Sequence, residues 1–165
     1  MATEAEPVFI NKDEEMSRNS HSYLTSILSY FFFDYLRKNN VSGSVHADAD
    51  IIFPNSGVRL RPDLSYFRQS FAPNEWEESI THVPELVVEI LSDSSYLEDT
   101  FTKKHFYASE GVAEYWIVSS SLRSIIVYNL EHGQYVLSQQ VFEQGTIYSK
   151  VLTDFSVEVS EIFYR

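Results

Sequence analysis

The chemistry open to this chain rests on three residues, Asp63, Glu89 and Lys103. Glu89 interrupts Leu86-Val87-Val88-Glu89-Ile90-Leu91, an apolar and β-branched run of strand length. Continuous apolar character over such a run marks a strand covered on both faces. An ionised carboxylate there is costly unless a cation, a metal or good hydrogen-bond donors compensate it. Asp63 directly follows Pro62 at the head of a second short strand, a position where proline is tolerated. Lys103 falls on a predicted helix after Glu89, with Asp99 and Tyr107 one helical turn to either side, so all three share a face. Two carboxylates at a sheet edge are hard oxygen donors suited to magnesium or manganese. A nearby lysine is able to orient or deprotonate an attacking water and to stabilise charge developing on a phosphate. Structural roles compete with this chemistry. Asp63 also suits a strand end, Lys103 beside Lys104 also suits a solvated helix face, and Asp99 with Lys103 also makes a simple i,i+4 pair. Only Glu89 demands a partner whatever its role.

The elements that must position these residues are readable from pattern. A helix is expected from Asp13 to about Lys38, with Asp13 or Ser17 as N-cap. Tyr23, Ile27, Leu28, Phe31, Tyr35 and Leu36 recur in it at helical spacing, and Asn39-Asn40 stops it. Short strands are expected over 42–47, 50–54 and 63–67, the last two separated by a turn at Pro54-Asn55-Ser56-Gly57. A polar connection over 69–83, with Trp76 in a helical turn, leads to the strand at 84–91. A helix follows over about 96–110, capped by Gly111, and then a strand from Ala113 to Ser119. Strands over 124–130 and 134–142 flank Glu131-His132-Gly133, a good hairpin turn, and a short amphipathic piece spans Phe155–Phe163. This order is that of an α/β or α+β fold around a mixed sheet.

Composition bounds the function. At 165 residues, with 44% hydrophobic and 15% aromatic residues, the chain forms one core; residues 1–12 read as a flexible arm and 13–165 as a single domain. The absence of cysteine excludes disulfides, zinc-thiolate sites and thiol nucleophiles. The acidic start lacks an apolar signal segment, and no apolar stretch has the length of a membrane span, so the expected location is the cytoplasm, away from membranes. A net charge of −12 argues against strong non-specific nucleic-acid affinity, which comes from Lys and Arg neutralising phosphates. It leaves room for a local basic site or for metal ions that supply the positive charge.

Across about Met16 to Phe163 the sequence resembles the Uma-two family of restriction endonucleases, within the PD-(D/E)XK nuclease superfamily. The residues carrying the likeness are Arg61-Pro62-Asp63-Leu64, Pro84-Glu85-Leu86-Val87-Val88-Glu89-Ile90-Leu91-Ser92, Asp99, Lys103, Tyr107 and Gly111-Val112-Ala113-Glu114-Tyr115-Trp116-Ile117-Val118. The resemblance implies a restriction-endonuclease-like mixed β-sheet core flanked by helices, acting on DNA with magnesium or manganese, as a homodimer. It implies Asp63 and Glu89 as metal-binding acids, the backbone carbonyl of Ile90 as a third ligand, and Lys103 in place of the superfamily's strand lysine, since Leu91 stands at that strand position. Glu15 is a candidate for the first-helix acid, and His21 falls where the family often has histidine, although a surface or capping role fits it equally. Two turns depart from the family pattern. Ser119-Ser120 stands where Asp-Pro is common, and Asp93 follows Ser92 where proline is common, which leaves room for an altered substrate preference.

Three functions are consistent with these residues: a metal-dependent endodeoxyribonuclease, a hydrolase of RNA or nucleotides, and a catalytically inactive interaction or regulatory protein on the same fold. In the last, Glu89 pairs directly with Lys103 and no metal binds.

Overall fold

The first helix is built on a stripe of large apolar residues one turn apart. Leu24, Leu28, Phe32 and Leu36 are all buried, and they lay α1 (Lys12–Lys38) across one face of a sheet. The computed structural model describes residues 12–72, 79–91 and 98–163, with side chains from residue 18 in the first segment and from residue 101 in the last. Residues 1–11 of the expected arm, residues 73–78 of the connection with Trp76, and residues 92–97 lie outside the described residues. Lys12 already belongs to the helix.

The central sheet has six strands in the order β1-β4-β5-β6-β7-β8. These are β1 (Ser44–Ala47), β4 (Leu64–Phe67), β5 (Leu86–Leu91), β6 (Glu114–Ser119), β7 (Ser124–Glu131) and β8 (Gln134–Phe142). β5 and β6 are parallel and every other neighbouring pair is antiparallel, so the sheet is mixed. The parallel pair requires a crossover, which α2 (Glu98–Glu110) supplies. Gly111 ends α2 with φ +87, as expected of a residue in that cap position. His132 and Gly133 both have positive φ, the condition for the tight turn between β7 and β8.

Strand alternation divides the core in two. Leu86, Val88 and Ile90 of β5 pack with Trp116 and Val118 of β6 against α1. Val87 and Leu91 pack with Tyr115, Ile117 and Tyr107 on the side of α2. All six residues of β5 are buried, and so are all six of β6, as the continuous apolar reading required. By the same alternation Glu89 points toward α2.

The peripheral elements differ from those expected. The strand expected at 50–54 is only β2 (Ile51–Ile52), paired with the unanticipated β3 (Arg59–Leu60) outside the main sheet. The piece at 155–163 divides into β10 (Ser156–Glu158) and α3 (Val159–Phe163), and β10 pairs with β9 (Thr146–Tyr148), which pattern did not reveal. Strands of two or three residues are too short to show a period. Among the described residues no helix is long and apolar enough to cross a membrane.

Candidate active site

β4 runs antiparallel to β5 with Leu64 opposite Val88, and the pairing stops there. Continuing that register by one step sets Asp63 opposite Glu89. Pro62 is the reason the ladder ends, because it has no N–H to donate. The unpaired edge is closed by a side chain: Asp63 Oδ2 accepts the Ile90 N–H at 2.6 Å. The segment before Asp63 is held from outside by Arg61, whose Nε and guanidinium nitrogen donate to the two carboxylate oxygens of Asp50 at 3.1 and 2.9 Å. The Asp63 carbonyl accepts the Asp48 N–H at 3.2 Å. Three neighbouring segments thus fix the aspartate in place.

Asp63 Oδ1 lies 2.8 Å from His21 Nε2, on α1. The hydrogen bond to Asp63 holds the His21 imidazole above its usual range despite burial, which works in the other direction. The aspartate therefore joins the first helix to the sheet.

Glu89 is only 5% exposed and is met by two side chains from α2. Lys103 Nζ lies 3.0 Å from Oε2, and the Tyr107 hydroxyl donates to Oε1 at 2.6 Å. These residues are one helical turn apart, so one face of α2 presents both. Burial pushes the Glu89 carboxyl above the ordinary carboxylate range, with the Lys103 ammonium and the Tyr107 hydroxyl pulling it down. Burial also raises the Tyr107 phenol, with the Glu89 charge adding to the effect, so the phenol remains a donor.

The structure thus brings Asp63, Glu89, Ile90, Lys103, His21 and Tyr107 to one end of the sheet. Asp99 and Glu15 lie on α2 and α1, but their side chains fall outside the described residues. Among the described residues no group of three or more histidine and acidic side chains is arranged to hold a metal. Asp63 and Glu89 are the two acidic side chains that meet here.

Two of these contacts go beyond what spacing indicates. Tyr107, expected on the Lys103 face as an accessory residue, is a direct donor to Glu89. His21 was given an equal claim to a surface role, and it touches Asp63. A further buried carboxylate, Glu114 at the start of β6, has a structural setting. Its Oε1 accepts the Trp116 indole N–H at 2.5 Å, and its Oε2 accepts the backbone N–H groups of Lys150 and Val151 at 2.7 and 3.0 Å. The signal for it was the one that exposed Glu89, a carboxylate beside the apolar run Tyr115-Trp116-Ile117-Val118.

Comparison with known proteins agrees with this architecture. The family model named Uma2 and described as "Putative restriction endonuclease" matches residues 13–160, so the chain belongs to that family. No curated protein sequence matches it. Among solved structures the chain is similar to a protein described as "a putative nuclease belonging to DUF820" from Anabaena variabilis. The TM-score is 0.68 at 15% identity, over 87% of this chain and 80% of that chain. The fold is therefore that of a nuclease-like protein, with a six-stranded mixed sheet between helices, as the sequence resemblance implied.

Proposed function

We propose that this protein is a metal-dependent nuclease, specifically an endodeoxyribonuclease, with Asp63, Glu89 and Lys103 as its catalytic residues and residues 13–165 acting as one domain. The observation that carries this reading is the meeting of two carboxylates and an ammonium where β4 leaves β5. Asp63, Glu89 and the Ile90 carbonyl are the proposed ligands of magnesium or manganese. The donor set fits a hard cation. Each carboxylate oxygen keeps a lone pair beyond the hydrogen bond it already accepts. The Ile90 N–H turns to Asp63, and the carbonyl of the same strand residue faces the same side. When bound, the cation supplies positive charge that polarises the scissile phosphate and acidifies water.

The chain's own groups do the rest. Lys103, whose side chain reaches solvent beside Glu89, would orient the attacking water and stabilise charge on the phosphate oxygens. The water oxygen bonds to phosphorus as the bond to the leaving oxygen breaks, the proton shed by the water passing to solvent and the leaving oxygen taking one from solvent. Tyr107 holds Glu89 Oε1, and His21 holds Asp63 Oδ1, which keeps both carboxylates in fixed rotamers. A homodimer is part of the proposal, since two copies bring two such sites to two DNA strands.

Plasmid cleavage with and without magnesium by wild type, Glu89→Gln and Lys103→Ala tests the reading. Only the wild type with metal is expected to cut. Equal cutting by all three removes the assignment. Comparing DNA, RNA and small phosphoesters as substrates decides the substrate class.

A second reading, an inactive nuclease-fold interaction protein, is favoured by a specific observation. Every carboxylate oxygen of Asp63 and Glu89 already has a protein donor, and the net charge is −12. Calorimetric titration with manganese separates the two. Binding that Asp63→Ala abolishes supports the nuclease, and no binding supports the interaction protein.

A further inference from the structure

α1 is apolar on two opposite sides. Leu24, Leu28, Phe32 and Leu36 face the sheet and are buried. Tyr23, Tyr30 and Phe33 turn away from it and are 40%, 52% and 54% exposed. At about 100° per residue, Asn19, Tyr23, Ser26, Tyr30, Phe33 and Arg37 fall on one stripe, roughly opposite the buried one. All six are exposed, and their spacing alternates between four and three residues, as in a coiled-coil seam. A helix with one apolar stripe needs one partner, and the sheet supplies it. A helix with two needs a second.

Charge along the helix identifies that partner. Residues 19–33 contain no Asp, Glu, Lys or Arg, in a chain whose net charge is −12. Two copies of so acidic a protein repel each other, so they meet closely only where each is uncharged. The charges of α1 are confined to its ends. Asp13, Glu14 and Glu15 outnumber Lys12 and Arg18 at its start, and Arg37 and Lys38 outnumber Asp34 at its finish. Arg37 lies 3.6 Å from Asp34 yet stays 82% exposed. Antiparallel pairing of two copies sets the basic end of each against the acidic end of the other, whereas parallel pairing joins like ends. The helix macrodipoles favour the same orientation.

The stripe also suits close packing. From Asn19 to Arg37 it runs about 27 Å at the helical rise per residue. Ser26, at its middle, is a small residue between the larger Tyr23 and Tyr30, so an aromatic knob of one copy finds room on the other. The Ser26 hydroxyl already donates to the Ser22 carbonyl at 2.9 Å, so covering it strands no donor. Tyrosine combines an apolar ring with a hydroxyl that stays wet at the rim of an interface. His21, on the inner side of the same helix, touches Asp63. Pairing through α1 therefore carries two candidate sites on one rigid helix pair.

We infer that the outer face of α1 is an interface with a second copy of this chain, the two helices pairing antiparallel through Tyr23, Ser26, Tyr30 and Phe33. A two-fold pair of this kind uses the same surface on both copies and closes without recruiting a third. The inference rests on the homodimer of the nuclease reading and deepens it by naming the surface that forms it.

The test is sedimentation equilibrium of the full chain from low micromolar to submillimolar concentration. Wild type is expected to dimerise. Tyr30→Glu/Phe33→Glu is expected to weaken the dimer at least about a hundredfold. Its circular dichroism should match wild type, since both side chains are exposed. Arg37→Glu/Lys38→Glu is expected to weaken the dimer about tenfold. Mixing that variant with Asp13→Lys/Glu14→Lys is expected to restore a dimer containing one copy of each. A monomeric wild type, a dimer that survives Tyr30→Glu/Phe33→Glu, or a mixture no tighter than Arg37→Glu/Lys38→Glu alone overturns the interface. Metal-dependent plasmid cleavage by wild type keeps the two ideas apart. A dimer broken by Tyr30→Glu/Phe33→Glu in a protein that never cuts supports the interface and removes the nuclease alone. Cutting by a protein whose dimer ignores these substitutions removes the interface alone.

Discussion

Two buried carboxylates sit on adjacent parallel strands of this sheet, and they differ in who holds them. Glu114, fully buried at the start of β6, is bound by an indole and two backbone N–H groups. Glu89, 5% exposed near the end of β5, is bound by an ammonium and a phenol from α2. The donors of Glu114 cannot leave without moving the backbone at Lys150 and Val151. Lys103 can, because its side chain is 28% exposed and reaches solvent. Burial alone therefore does not tell the two acids apart. The mobility and charge of the donors do.

The largest expected effect tests this contrast directly. Glu89→Gln is expected to lower metal-dependent cleavage by roughly 10²–10³-fold or more. Its stability should move in the opposite direction. Burial raises the Glu89 carboxyl above 4.5, so the folded state binds that proton more tightly than the unfolded state. Stability from this group accordingly falls as pH rises from about 4.5 through the raised value. A neutral amide escapes that loss, so Glu89→Gln should melt at or above wild type at pH 7, with the difference closing as the pH is lowered. Paired melting and cleavage curves check both halves. A variant that loses activity by unfolding breaks the contrast.

Glu114→Gln should do the reverse. Its new amide brings donors toward an indole and two backbone N–H groups that need an acceptor. The cost is about 2–3 kcal/mol, or a fall in Tm of about 5–10 °C for a domain of this size. Cleavage per folded molecule should be unchanged. Lost cleavage at full stability would place Glu114 in the reaction and erase the distinction.

How far this was legible in sequence follows the same physics. Central strands announce themselves by continuous apolar runs, so β5, β6 and the α2 crossover were readable, and Glu89 stood out against its run. Lys103 and Tyr107 were readable as one face of a helix because spacing alone fixes that. What they touch is a tertiary fact, set by how α2 lies across β5. His21 and Asp63 are 42 positions apart, and no local pattern links them. β2, β3 and β9 escaped because two or three residues carry no period. The donors of Glu114 were not readable, because they include backbone groups of Lys150 and Val151, which look the same in every sequence.

A smaller effect is expected at Tyr107. Tyr107→Phe removes one donor from a buried carboxylate at a cost of about 1 kcal/mol. Glu89 then titrates higher still, and manganese affinity measured by calorimetry should fall about tenfold. Unchanged affinity would mean that Lys103 alone sets the Glu89 geometry.

The smallest effect in energy is the titration of His21, and it discriminates between the two readings of the site. The hydrogen bond to Asp63 raises the imidazole above 6.5, so the protonated ring is favoured in the folded state. Its contribution to stability is complete below about 6.5 and is lost as pH rises through the raised value. Asp63→Asn removes the cause and leaves burial, which acts downward, so the His21 proton resonance should titrate at lower pH in that variant. Magnesium supplies the decisive arm. If Asp63 is a metal ligand, the cation competes for its charge and lowers the His21 titration in the wild type. If Asp63 only fastens α1 to the sheet, added magnesium leaves the His21 curve where it was. Cleavage need not be detectable for this measurement to separate a working metal site from a structural pair.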